Sequence, residues 1–229
     1  QSQEARDILG KRAFIITFQT AKRLSSSLQF KDQHCKFLHN KTQSSDILLH
    51  FITEEQLNKE FEKEGFRVPI PIKGSTRIKD IKTFKKLSAL LESYLRPSEE
   101  LLSDPKIHDL HVAMQLGIAL RATIELTQHE QLSKMIMADT PNGLAHFSIG
   151  GEDGYSAWLD WKNGKLTSGK GMPTTSPHAH VQFADAKTAL KAVGNRIDVM
   201  AAIGNEEIKI TGLIPLADAL GYVFERIPL

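Results

Sequence analysis

The layout of Phe51–Leu95 recurs 132 positions later in the stretch from Phe183 to Ile227, and no gap is needed to superpose the two. Phe51 falls on Phe183, each closing an apolar, strand-like run. Thr53 falls on Asp185, both good helix N-caps. Leu57 and Phe61 fall on Ala189 and Val193, and Ile78 falls on Ile210 inside a second strand-like run. Phe84, Leu87, Leu91 and Leu95 fall on Leu216, Ala219, Val223 and Ile227, one apolar stripe at helical spacing. Pro97 and Pro228 close the two copies. Identities are few (Phe51/Phe183, Lys59/Lys191, Ile78/Ile210), so matched residue class in matched order carries the repeat. A duplication is the favoured reading, against two unrelated α+β segments that happen to align.

A chain of 229 residues has room for one large domain or two small ones. No apolar run reaches the ~18 residues of a membrane span; Leu110–Leu126 comes nearest and is broken by His111, Gln115, Arg121 and Glu125. The opening QSQEARDILG has no apolar signal-peptide core and no initiator Met, which leaves the true start open. Cys35 is the single cysteine, so no internal disulfide forms, as suits a reducing cytoplasm. Residues 1–100 hold 18 Lys+Arg against 13 Asp+Glu, and the remainder holds 11 against 14. Opposite signs on the two halves favour attraction to each other or to a partner. Lys79, Lys82, Lys85 and Lys86 sit on the polar side of an amphipathic pattern with no aromatic between them for base stacking. They read as a solvated face with a weak preference for anionic lipid headgroups, and no nucleic-acid partner is expected.

Strands are expected at Ala13–Phe18, Ser27–Phe30, Cys35–Leu38 and Asp46–Phe51. Thr53 with Gln56 forms a capping box for a helix that ends at Gly65. Pro69 and Pro71 force an extended path before a helix over Thr83–Leu95. The polar, proline-bracketed Arg96–Pro105 marks the boundary. Ile107–Leu126 reads as a helix apolar nearly all round, hence buried, between the two halves, and Glu130–Met137 as a shorter one. A β-meander follows: Leu144–Ile149, a turn at Gly150–Gly154, Tyr155–Trp161, an Asn163-Gly164 hairpin, Lys165–Lys170 and His178–Phe183. Asp185 caps a helix to Val193, Asp198–Ile203 is a short helix, Glu207–Thr211 a fifth strand, and Pro215 starts the last helix.

In this order, Leu144–Ile227 resembles the sterol carrier protein 2 family, the SCP2 sterol-binding domain. The meander Tyr155–Gly169, the run HVQFADAKTALKAV, the step from Gly194 to Gly204, and Ile208–Gly212 leading into Leu213–Phe224 carry the resemblance. It implies an α+β fold: a mostly antiparallel five-stranded sheet covered by helices. It further implies an apolar tunnel for acyl chains or sterols, and no catalytic residues. Residues 13–97 resemble a degenerate second copy. There Pro69 and Pro71 fall on Ala201 and Ile203, Asp80 falls on Gly212, and no clear Gly-rich hairpin precedes Ser27.

Motifs for catalysis are missing: no GxSxG, P-loop, GxGxxG or HExxH occurs. His178 and His180 share a strand face but lack a carboxylate or Cys partner, and His34-Cys35 with His39 is as thin, so no metal is expected. His108/His111 reads as a surface pair. Asp153, Asp160, Asp185 and Asp198 are explained by turn, surface and cap roles. Weight falls on the apolar residues Phe147, Leu159, Trp161, Phe183, Met200, Ile203, Ile210, Leu213, Leu216, Leu220, Val223 and Phe224, which recur so as to face the sheet–helix interior. Pattern alone reads them as a filled core, and the resemblance raises a ligand-holding tunnel gated by Pro215–Arg226 to equal standing.

The expectation is therefore tandem SCP2-like domains: 1–97 degenerate, 98–138 linker and buried helices, 139–229 lipid-binding. The expected role is non-catalytic binding or transfer of a lipid or acyl chain by a soluble, cytoplasmic protein without cofactor. Transient membrane contact and a homodimer are compatible partners. The alternative is a dimerisation or enzyme-scaffolding module with filled cores.

Overall fold

A computed structural model describes residues 3–21, 25–39, 44–62, 70–150 and 155–227. Gly65, Pro69, the turn at 151–154 and Pro228 lie outside these residues, as do the side chains of His39 and Phe61. The chain forms two compact units, Gln1–Ser93 and Tyr94–Leu229.

The first unit begins with α1 (Gln3–Leu9), then β1 (Phe14–Thr20), β2 (Ser25–Lys31), β3 (His34–His39) and β4 (Ile47–Phe51). Helix α2 (Glu54–Glu62) starts as expected: Thr53 Oγ1 accepts from Gln56 N at 3.0 Å, and Gln56 Oε1 accepts from Ile52 N at 2.8 Å. Strand β5 (Ile70–Lys73) and α3 (Ile78–Leu95) follow. The sheet order is β3-β2-β1-β4-β5, with β1 parallel to β4 and the other neighbours antiparallel. Alternation along the strands turns Phe14, Ile16, Phe30 and Ile47 to one face. There they form a core with Leu9 of α1 and with Ile81, Phe84 and Leu87 of α3.

The second unit follows α3's last turn. A short α4 (Glu99–Leu102) occupies the expected boundary segment, because Ser98 Oγ caps it by accepting from Leu101 N. Next come α5 (Pro105–His129), α6 (Gln131–Ala138), β6 (Gly143–Ile149), β7 (Ser156–Lys162), β8 (Lys165–Lys170) and β9 (Ala179–Phe183). Then α7 (Ala186–Val193), α8 (Val199–Gly204), β10 (Ile208–Gly212) and α9 (Ile214–Phe224) complete the chain. The order β10-β9-β6-β7-β8, with β6 parallel to β9 alone, has the same connectivity as the first sheet. Two mostly antiparallel five-stranded sheets, each with helices, make the protein α+β.

The repeat extends to single hydrogen bonds. Asp46 Oδ2 accepts from Ile15 N at 2.9 Å, and in the second unit His178 Nδ1 accepts from Leu144 N at 3.0 Å. Asp46 N donates to Ile15 O as His178 N donates to Leu144 O. The gapless superposition fails after the first helix, however. Ile78 begins α3 and is not in a strand; the strand matching β10 is β5, and the residue matching Gly212 is Gly74 rather than Asp80. Both glycines have φ +84°, and a Cβ on either would lie 2.3 Å from Asp46 O or 2.1 Å from His178 O. The offset is thus 132 at β4/β9 and 138 at these glycines, so the chain between them is six residues shorter in the first copy. Pro71 therefore belongs to the counterpart of β10, where it pairs with Leu49, and not to a remade α8.

Helix α5 differs from its expected all-round burial. Val112, Leu116, Ala119, Leu120, Thr123 and Ile124 are buried, while Leu110 and Ile118 are exposed. Its buried stripe belongs to the core of the second unit.

Candidate functional site

In the second unit, alternate residues of four strands point to one face: Ala145, Phe147 and Ile149; Ala157, Leu159 and Trp161; Ala179, Val181 and Phe183; and Ile208 on β10. Helices α5, α6, α7 and α9 close over this sheet in one apolar core. The last helix carries Leu216, Ala217, Leu220 and Val223 on its inner side, spaced 3–4 residues apart as a helix requires to bury one stripe. Phe224 reaches Phe147, with ring centroids 5.5 Å apart.

Ten of the twelve expected lining residues meet here. Phe147, Leu159, Trp161, Phe183, Leu216, Leu220 and Val223 are buried in this core, and Ile210, Leu213 and Phe224 pack against it. The other two do not: Met200 is 79% exposed and Ile203 37%. Helix α8 has only six residues, held by the Asp198 cap on Ala201 N and by buried Ala202. Met200 lies two residues from Ala202, about 200° around a helix, and so faces solvent. With Val199 and Ile214 these side chains leave an exposed apolar rim on α8 and the start of α9, both of which pack on edge strand β10. Sequence reasoning missed the share of α5 and α6 in the interior (Val112, Leu116, Leu120, Ile124, Met137), because an apolar stripe does not say which sheet it faces.

An open groove of about 690 Å³ lies at the β7–β8 hairpin end, lined by Trp161, Asn142, Lys134, Thr127, Gln128 and neighbouring residues. Of the twelve, Trp161 alone borders it, its Nε1 donating to Thr140 O at 3.2 Å. The far end of α9 is held by a fork: Arg226 Nε donates to Glu130 Oε2 at 2.6 Å, and the other Glu130 oxygen accepts from the same guanidinium. Ser133 Oγ donates to Glu130 as well. The Arg226 hydrogen bonds, then Ser133, hold the Glu130 carboxyl down at about 2. A depressed carboxyl stabilises the fold above its unfolded pKa near 4.5 and stops doing so as pH falls through about 2. Glu130→Gln is accordingly expected to speed amide exchange severalfold in the last turn of α9 at pH 7, and wild type is expected to approach the variant as pH falls from 4.5 towards 2. Equal exchange at pH 7 would show that the fork holds nothing.

The opposite sheet face carries His146 and His180, stacked with centroids 4.8 Å apart. His180 Nε2 and Ser148 Oγ share a hydrogen bond of 2.8 Å, while buried His146 Nε2 has no partner among the described residues. Burial lowers both imidazole pKa values, and His180 lowers that of His146 further. A histidine with a depressed folded pKa favours unfolding as pH drops below 6.5, because the unfolded chain takes the proton more readily. The denaturation midpoint of this unit is therefore expected to fall between pH 7.5 and 5, and less steeply in His146→Phe, which keeps a stacked ring. His178, with its Nδ1 occupied by Leu144 N–H, is a structural residue. Among the described residues no three His, Cys, Asp or Glu side chains converge as a metal site.

Solved sterol carrier protein 2 domains resemble this chain. A crystal structure of sterol carrier protein 2 matches at 17% identity and TM-score 0.38, covering 48% of this chain and 95% of that one. The sterol carrier protein domain 2 of Helicoverpa armigera matches at 14% and 0.40, covering 50% and 88%. The palmitated SCP2L2 of Aedes aegypti matches at 21% and 0.31, covering 44% and 94%. No family profile and no curated protein matches the chain.

Proposed function

We propose that the second unit binds the apolar part of a lipid or acyl chain, without catalysis, beneath α9. The observation that supports this most is the exposed apolar rim of Val199, Met200, Ile203 and Ile214 beside a helix whose inner stripe closes an aliphatic and aromatic interior. A chain entering from the rim would displace α9 from the sheet and take the place of its contacts with β6, β9 and β10, the Phe224–Phe147 ring pair among them. Each methylene moved from water contributes about 0.8 kcal/mol, less the cost of ordering the ligand. Met200 is an adaptable side chain for varied ligand shapes at such an entrance. The same rim would touch a membrane surface during loading. In domain terms, 139–229 is the binding domain, the helices of 98–138 complete its interior, and 1–97 is chiefly a supporting copy.

Full burial of Leu216, Leu220 and Val223 favours the competing reading, a filled core serving dimerisation or an enzyme partner. Lipid extraction from natively purified protein, followed by mass spectrometry, separates the two. An acyl lipid in stoichiometric amount supports binding. A clean apo mass, with no uptake of added fatty acid, leaves the filled-core module.

A further inference from the structure

The first unit contains a second concave site, a groove of about 600 Å³ between α1 and α3. One wall carries Lys79, Lys82 and Lys86, spaced three and four residues apart on α3. The other carries Glu4 and Asp7 of α1, with Arg12 at its end. Ile8 and buried Thr83 complete the lining. Arg12 is already committed to Asp80 at 3.1 Å, and Asp7 accepts from Gln3 Nε2 at 2.9 Å. None of the three lysines has an ion pair among the described residues.

Like charges three and four residues apart on a helix repel each other and lower its stability slightly. A groove with more cations than carboxylates concentrates the field that a flat helix face would lose to solvent. Ammonium groups bind phosphate as point charges, and the flexible four-carbon stems of three lysines on one helix face let them converge on such a group from one side. We propose that this groove binds a phosphate group, carried by a soluble phosphate compound or by a lipid headgroup, through Lys79, Lys82 and Lys86. The site lies wholly within the first unit and does not depend on lipid binding by the second.

The test uses the full chain with two probes: inorganic pyrophosphate in calorimetric titration, and vesicles of phosphatidylcholine with phosphatidic acid in flotation. Wild type is expected to bind at least one probe. The variant Lys79→Gln/Lys82→Gln/Lys86→Gln is expected to bind roughly 100-fold more weakly, at about a kcal/mol per lysine. Gln keeps helix propensity close to that of Lys, so helix content by circular dichroism should be unchanged. Asp7→Asn, which removes a carboxylate from the opposite wall, is expected to tighten binding. A charge-matched control, Lys162→Gln/Lys165→Gln/Lys209→Gln in the second unit, is expected to bind like wild type. Binding of pyrophosphate alone assigns a soluble phosphate compound, and binding of vesicles alone assigns a headgroup. The proposal is overturned if neither probe binds, or if the control variant loses as much affinity as the groove variant.

Discussion

Leu220→Ala is expected to lower the unfolding free energy of the second unit by about 2–5 kcal/mol, the range for removing a fully buried leucine and leaving a cavity. Leu220 has no exposed surface and sits at the centre of α9's inner stripe, between Leu216 and Val223. If α9 is a lid over a ligand site, fatty acid should restore part of that loss by binding the folded state, about 2.7 kcal/mol at a hundredfold excess over Kd. The complementary change, Leu220→Trp, is expected to block uptake and to cost about 1–3 kcal/mol by overpacking. Thermal denaturation with and without fatty acid reads both effects. A Leu220→Ala loss that fatty acid leaves untouched would favour the filled core.

Gly212→Ala is expected to cost about 3 kcal/mol in the second unit, the upper end for a strained backbone position, and Gly74→Ala to have a comparable effect in the first. Each glycine has φ +84°, where a side chain is strained, and each added Cβ would meet a backbone carbonyl oxygen rather than a movable side-chain end. At Gly212 the obstruction falls where the residue pairs with Ala179, so relief requires β10 to leave β9. At Gly74 the obstruction is Asp46 O, with Ile47 close behind. Hydrogen exchange resolved along the sequence separates the two: Gly212→Ala should raise exchange in β9 and β10, and Gly74→Ala in β4 and β5. Free exchange in the wrong unit, or normal exchange in both, would contradict the equivalence of the two glycines.

That equivalence also shows where sequence reasoning succeeded and failed. The Asn163-Gly164 hairpin was legible because both residues take positive φ, which few other residue pairs accept. The helix starts at Asp185 and Asp198 were legible because their carboxylates accept from Thr188 N and Ala201 N, a local interaction that leaves a local signature. Strand β5 was not. Its four residues are all exposed, so it is held by pairing with β4 and shows no burial alternation. Periodicity then assigned Ile78 to a strand when it opens a helix. In the candidate site, strand alternation and the stripe of α9 placed ten of twelve residues in or against one interior. Met200 and Ile203 escaped because α8 is too short for periodicity to choose its inner side, which small Ala202 takes.

Titration of the 229-residue chain with a fluorescent fatty acid, for wild type and Leu220→Trp side by side, tests the proposed binding site most directly. Saturable uptake of one molecule per chain by wild type, lost in Leu220→Trp while the variant remains folded, is the expected result. No uptake by wild type, or equal uptake by both proteins, would contradict an acyl-binding site beneath α9.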